Sequence, residues 1–286
     1  MIIIPSSSTE KLAKRIADRS GSVLSAVERK RFPDGELYVR VEGVLKGQDA
    51  VVVGSTRSDT DFLELLFLLN AAREGGGTRV TAVVPYYGYS RQHRRYRDGE
   101  PVSSKVMTKA IEEFSDRIVC VEIHDEETLG FSSRPFTNLS VINTVSDYFR
   151  NRNIDMIMSP DDGGFDRASR MAKILGIPAH YIDKKRIDSK TVEMHLPKDV
   201  DFSGKSVLLV DDIISTGGTI IKAVKLLKEN GASRISVSAV HGVFAKDSDR
   251  TIAGMVDELV VTDTIETPHN LISVAADISE SLKQGE

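Results

Sequence analysis

The stretch that most constrains this chain is Val207-Leu208-Leu209-Val210-Asp211-Asp212-Ile213-Ile214-Ser215-Thr216-Gly217-Gly218-Thr219. Its apolar start is too short for a helix and rich in Val and Leu, which predicts a strand buried on both faces of a parallel sheet. Beyond the loop, Ile220, Ala223, Val224 and Leu227 repeat at helical spacing, and Gly231 falls where a left-handed residue commonly ends a helix. The order is therefore strand, polar loop, helix N-terminus.

That order carries chemistry. The first N–H groups of a helix lack intrahelical partners, and with the helix dipole they favour an anion such as phosphate. Gly217 and Gly218 let the backbone come close, and Ser215, Thr216 and Thr219 add hydroxyl donors. Asp211 and Asp212 would repel a phosphate, so they face hydroxyls, a cation, or both. A sugar phosphate satisfies both halves of the motif. A capped helix with two solvated acids at a strand end is the plainer alternative.

Composition excludes some functions. A chain of 286 residues allows one large or two ordinary domains. No run approaches the ~18 apolar residues of a membrane span, and Met1-Ile2-Ile3-Ile4-Pro5 is too short for a signal-peptide core. A net charge of −4 without a basic domain argues against nucleic acid as a partner. The single cysteine, Cys120, can build no disulfide or zinc framework within one chain, and a cytoplasmic location is the default expectation.

Taken in order, residues 2–4 read as a first strand, and Ser6, Ser7, Ser8 and Thr9 can cap the helix that follows. Phe32-Pro33-Asp34-Gly35-Glu36 is a hairpin turn, Asp-Gly being a strong hairpin signal. Residues 50–53 are a buried strand, then Gly54-Ser55-Thr56, then a helix with Phe62, Leu65, Leu66 and Leu69 on one face, then a strand at 80–84. Residues 207–240 repeat that order, and the alternative is chance similarity of two common units. The repeat predicts an α/β fold of two related halves, residues 1–140 and 141–286, each a mainly parallel sheet with helices on both faces.

The remaining chemistry sits at strand ends. Residues 85–101 follow a strand and are rich in Tyr and Arg, which suits stacking on a base and gripping phosphate, or a solvated loop. His124 follows the strand at 118–123, with Asp125, Glu126 and Glu127 beside it; a lone histidine is commonly structural, and the carboxylates favour a metal. Ser159-Pro160-Asp161-Asp162-Gly163-Gly164 opens a further helix, where glycines suit a phosphate and acids suit Mg2+. Residues 183–190 form a basic segment, which reads equally as a solvated charge run.

Residues 207–219 resemble the phosphoribosyl-pyrophosphate binding motif of the phosphoribosyltransferase fold. With Phe32 to Glu36, Tyr86-Tyr87-Gly88-Tyr89-Ser90-Arg91-Gln92, Glu100-Pro101-Val102-Ser103, His124 with Gly130-Phe131, Ser159 to Arg167, and Lys184 to Arg186, the whole resembles the ribose-phosphate diphosphokinase family. That resemblance implies transfer of the β,γ-diphosphoryl group of ATP to O1 of ribose 5-phosphate, with release of AMP. It implies that Asp211, Asp212, Ser215, Thr216, Gly217, Gly218 and Thr219 hold ribose 5-phosphate. Phe32, Asp34, Gly35, Glu36, Arg91 and Gln92 then hold ATP, His124 and Asp161 bind Mg2+, and Lys184 and Arg186 are catalytic. It also implies a homo-oligomer, at least a dimer, in which the turn at Phe32 serves a neighbouring chain. A salvage phosphoribosyltransferase would explain only the second half, and a non-catalytic regulatory homologue would not be expected to keep Lys184, Arg186, His124 and Asp161. The chain departs from the family at His93 and Ser215, where Asp is common, and in Asp125-Glu126-Glu127-Thr128-Leu129, which lacks the usual glutamines. No match to the family's regulatory phosphate or ADP residues is found around Arg97-Asp98-Gly99.

Overall fold

The computed structural model describes residues 1–186 and 192–284. The chain divides into two compact units. One comprises Met1–Ser140, Thr264–Glu266 and Ser273–Glu286, the other Val141–Asp263 and Thr267–Ile272.

In the first unit, β1 (Ile2–Pro5), α1 (Glu10–Ser20) and β2 (Val23–Leu24) lead into a hairpin of β3 (Val27–Arg31) and β4 (Leu37–Val41). There follow β5 (Asp49–Val53), α2 (Asp59–Glu74), β6 (Arg79–Val84), α3 (Ser103–Phe114), β7 (Arg117–Val121) and β8 (Phe136–Leu139). The main sheet has the order β2-β1-β5-β6-β7-β8 with all neighbours parallel, while β3 and β4 pair antiparallel. Ala50, Val52, Val80, Ala82, Val84, Ile118 and Cys120 form the sheet's part of a core that Leu65, Leu68, Leu69 and Ile111 cover from the helices. Continuous apolar strands are what a sheet covered on both faces requires.

The second unit contains α4 (Ile142–Phe149), β9 (Met156–Ser159), α5 (Phe165–Leu175), β10 (Ala179–Tyr181), and a hairpin of β11 (Asp183–Arg186) and β12 (Val192–His195). It continues with β13 (Ser206–Ile214), α6 (Gly218–Glu229), β14 (Arg234–Gly242), α7 (Ser248–Ala253), β15 (Glu258–Thr262) and β16 (Asn270–Ile272). Its sheet has the order β10-β9-β13-β14-β15-β16, again all parallel. Element for element this is the topology of the first unit. The repeat seen in residues 50–84 and 207–240 is one part of a repeat that spans both units, and the hairpin bearing Phe32 to Glu36 corresponds to the hairpin bearing Lys184.

The expected second domain, residues 141–286, does not hold its own end. The final helix, α8 (Ala275–Lys283), belongs to the first unit and packs on α1. Ile278 and Leu282 are buried there, as are Leu12, Ala13 and Ile16 of α1, and Arg117 donates to the Ser281 hydroxyl at 3.0 Å. In the second unit α4 packs on α5 in the same way. Around the first unit's sheet, α8 thus takes the place that α4 holds in the second.

Two local expectations are also corrected. Thr9 occupies the N-cap position of α1 without capping it, because its hydroxyl donates to the Val53 carbonyl at 2.7 Å and ties α1 to β5 instead. The strand at 207–210 does not stop before the acids. β13 runs through Asp211 and Asp212 to Ile214, which pairs with Gly242 of β14.

Candidate active site

The polar loop after β13 keeps its N–H groups open by packing its back. Gly217 lies at φ +71°, and a β-carbon built there would stand 2.9 Å from Ile252 Cδ1 and 3.1 Å from Ser248 Cβ, both on α7. The Ser248 hydroxyl donates to the Ser215 carbonyl at 2.8 Å, fixing the loop from behind. At Gly218 the added carbon would meet only the Thr216 hydroxyl, at 4.0 Å, so the space in front of the loop is free. Helix α6 has neither a side-chain cap nor an acidic residue in its first turn.

The corresponding helix of the first unit is built the opposite way. Ser58 caps α2 by accepting from Asp61 N at 3.1 Å, and Asp59 and Asp61 occupy its first turn. Its positive end already has carboxylates of its own, which disfavours an external phosphate directly there. A cleft of about 540 Å³ lies beside it, lined by Ser7, Ser8, Ser55, Arg57, Ser58, Asp61, Ile265 and Glu266. None of the expected site residues lines that cleft.

Asp211 and Asp212 lie partly buried in the last half of β13. Asp211 Oδ1 accepts from Asp212 N at 2.9 Å, and Asp212 Oδ1 accepts from Ile213 N at 2.7 Å. Burial raises the Asp211 carboxyl well above the usual range, and the neighbouring Asp212 and Asp161 charges push it the same way. Three acids therefore converge within this unit. Such a set favours a proton or a hard cation, and its all-oxygen donors suit Mg2+.

Asp161 is anchored at the end of β9. The Ser159 hydroxyl donates to its carbonyl at 2.6 Å, and Gly164 N donates to its Oδ1 at 3.3 Å. The Lys184 ammonium, on β11, stands 3.6 Å from Asp161 Oδ2. The Arg186 side chain and residues 187–190 of the basic segment lie outside the described residues.

In the first unit, the β3–β4 turn is closed by Phe32 N donating to the Glu36 carbonyl and Gly35 N to the Phe32 carbonyl, each at 2.9 Å. Gly35 takes φ +95°, as the turn requires. Asp34 spends one oxygen on this turn, accepting from Glu36 N at 3.2 Å. Phe32 is left 42% exposed, an apolar ring in solvent.

The loop at 85–101 is pinned rather than loose. A β-carbon at Gly88 would come within 2.3 Å of the Thr56 carbonyl, and Gly88 N donates to the Thr56 hydroxyl at 2.7 Å. Gln92 accepts from the Ser103 hydroxyl at 2.6 Å, which orients its amide, and Arg91 is exposed. Not every tyrosine here can stack on a base. Tyr87 is buried, with its hydroxyl 2.8 Å from that of Thr108, and burial raises its pKa.

His124 is exposed beyond β7, after Glu122, a buried non-glycine residue at φ +42°. Glu122 accepts from the Ser140 hydroxyl at 2.8 Å. Nothing in the sequence marks this strained carboxylate, since a positive φ at a glutamate has no sequence signature. Of the carboxylates beside His124, Asp125 and Glu127 also face His93.

Family models match most of the chain. The N-terminal domain of ribose phosphate pyrophosphokinase matches residues 1–114, and the phosphoribosyl transferase domain matches residues 140–275. Ribose-phosphate pyrophosphokinase of Thermoplasma acidophilum is 46% identical over 274 residues, covering 96% of both chains. That of Thermoplasma volcanium is 44% identical over 283 residues, 99% of both. Among solved structures, phosphoribosylpyrophosphate synthetase from Mycobacterium smegmatis superposes with a TM-score of 0.87 at 27% identity, over 99% of this chain and 98% of the other.

Proposed function

The chain belongs to the ribose-phosphate pyrophosphokinase family, and from that premise we propose which residues carry out its reaction. The enzyme transfers the diphosphoryl group of ATP to O1 of ribose 5-phosphate, giving 5-phosphoribosyl 1-pyrophosphate and AMP. The observation that carries this reading is the match in order of both domains over nearly the whole chain. A salvage phosphoribosyltransferase would leave the first unit without a task.

Ribose 5-phosphate places its phosphate on the backbone of residues 215–219 and the Thr216 and Thr219 hydroxyls, while Asp211 and Asp212 take its ring hydroxyls. The open front of Gly218 and the uncapped start of α6 support this. ATP is held by Arg91 and Gln92, with Phe32, Asp34, Gly35 and Glu36 at the adenine. O1 attacks the β-phosphorus, the bond to the α-phosphate oxygen breaks, and AMP leaves with that oxygen. Charge grows on the transferred group and on AMP, and Lys184 and Arg186 are assigned to neutralise it. Transfers of this kind depend on positioning and electrostatics more than on a strong base.

Mg2+ is the metal this reading requires. Asp161 supplies an oxygen donor of the right kind, beside Asp211 and Asp212; His124, an exposed imidazole, is the less usual donor for so hard an ion. Bound there, Mg2+ offsets repulsion between ATP oxygens and the incoming sugar phosphate. No helix among the described residues is long and apolar enough to cross a membrane. Cys120 is free and buried, which calls for no oxidising compartment, so we place the enzyme in the cytoplasm.

The working unit in this reading is at least a dimer, the Phe32 turn of one chain completing the ATP site of its neighbour. A hairpin tip that leaves an aromatic ring exposed gains by burying it against a partner. Complementation tests the assignment. Lys184→Ala and the double variant Phe32→Ala with Glu36→Ala are each inactive alone, then unfolded and refolded together. Random pairing makes about half of the dimers mixed, and each has one intact site, so about a quarter of wild-type activity returns. A mixture that stays inactive, with mixed dimers confirmed by mass, refutes the shared site.

A further inference from the structure

The loop that holds ATP carries a second cluster of metal-ligating atoms. His93 directly follows Gln92, and its ring is 8% exposed. His93 Nε2 stands 3.3 Å from Asp125 Oδ2 and 3.8 Å from Glu127 Oε2, and one atom from each of the three residues lies within 4.8 Å of the others. Asp125 is held for this arrangement: its other oxygen, Oδ1, accepts from Glu127 N at 2.9 Å. Glu126, between them, is turned away to the Asn138 amide at 3.0 Å. The opposite ring nitrogen, His93 Nδ1, is buried without a hydrogen-bond partner.

Charge and distance both point to a cation. Two carboxylates converge on one imidazole that is largely shut off from water. With a neutral ring the cluster carries a charge of −2, and a divalent ion balances it. Zinc sits about 2.0–2.2 Å from nitrogen and oxygen ligands, which places neighbouring tetrahedral ligands roughly 3.3–3.5 Å apart. The His93–Asp125 separation already meets that. Glu127 must close on His93 by about half an ångström and draw in toward Asp125 as well, and its side chain, 65% exposed, has room to do so. An imidazole with two carboxylates favours a borderline transition ion over Mg2+, which prefers oxygen alone.

We propose that His93, Asp125 and Glu127 bind one zinc-class divalent ion, separate from the Mg2+ that accompanies ATP. Three protein ligands leave a fourth position for water. The ion ties the loop at 85–101 to the turn after β7, and so stiffens the segment that presents Arg91 and Gln92. In the sequence His93 stands out only as a departure from the family, because Asp125 and Glu127 lie far downstream of it.

The test is equilibrium dialysis of the full chain against Zn2+ in excess Mg2+, without nucleotide, with Co2+ as a visible-absorption probe of the ligand set. One ion per chain is expected to be retained. Glu127→Gln, at an exposed position where folding is not at stake, should weaken it at least tenfold; His93→Ala should abolish it; His124→Ala should leave it in place. Co2+ bands should be lost with His93→Ala in parallel. The proposal is overturned if no ion is retained, if Glu127→Gln and His93→Ala hold it as wild type does, or if His124→Ala removes it.

Discussion

Replacing Gly217 and Gly218 one at a time by alanine separates what the phosphate loop needs in order to fold from what it needs in order to bind. At Gly217 the φ of +71° costs an L-residue about 1–2 kcal/mol. The new β-carbon also meets Ile252 Cδ1 at 2.9 Å, and Ile252 is fully buried, so that terminal carbon must shift within a filled core. Forcing a carbon into a filled core adds about 1–3 kcal/mol. The two together give a loss of roughly 2–5 kcal/mol for Gly217→Ala. Gly218→Ala meets nothing closer than 4.0 Å and should be nearly neutral for stability. It should instead raise KM for ribose 5-phosphate, since its methyl points into the space left for the phosphate. Urea unfolding followed by circular dichroism reads the first effect, and steady-state kinetics the second. Adding Ile252→Val to Gly217→Ala deletes the clashing carbon. It should restore the packing part of the loss, about 1 kcal/mol or more, while leaving the backbone part. Gly217→Ala as stable as wild type, or Gly218→Ala the more destabilised of the two, would refute the reasoning.

Four other outcomes are expected. Lys184→Ala should lower kcat by ~10²–10³ with KM for ribose 5-phosphate nearly unchanged, the pattern of a group acting on charge that develops late; stopped assays of AMP check it. Asp211→Asn should raise KM for ribose 5-phosphate while ATP binding, measured calorimetrically without the sugar, stays as it was. Chelating Mg2+ should abolish turnover, and His124→Ala should raise the Mg2+ concentration giving half-maximal rate; an unchanged requirement removes His124 from the metal site. Burial opposes ionisation of Glu112, but its hydrogen bonds from Lys109, Ser133 and Ser132 win and lower its pKa from 4.5 to about 2. Its stabilisation is therefore full above about pH 4.5 and lost as pH falls towards 2, so the stability difference between wild type and Glu112→Gln, measured in urea, should shrink across that interval.

Some of this protein is written locally and some is not. The buried run at 207–210 and the helical spacing of Ile220, Ala223, Val224 and Leu227 state their structure within a few residues, and all four helix positions are buried. The Asp34-Gly35 turn is equally local. The extent of β13 is not, because Asp211 and Asp212 read as loop residues until β14 is seen to pair alongside them. The docking of α8 on α1 also escapes the sequence: periodicity marks a helical face as apolar without saying which surface covers it. Thr9 shows the same limit, its hydroxyl taken by Val53 rather than by its own helix. The site follows this division. The loop at 215–219 announces its chemistry, whereas the grouping of His93 with Asp125 and Glu127 arises only when β7 brings distant segments together.

The reaction itself is tested most directly by product stoichiometry. The enzyme is given ATP, Mg2+ and ribose 5-phosphate with no purine or pyrimidine base, and the products are resolved by phosphorus NMR. Diphosphoryl transfer predicts AMP and 5-phosphoribosyl 1-pyrophosphate in equal amounts, no ADP, and no AMP when ribose 5-phosphate is omitted. Formation of ADP in place of AMP, or turnover only when a base is added, would contradict it.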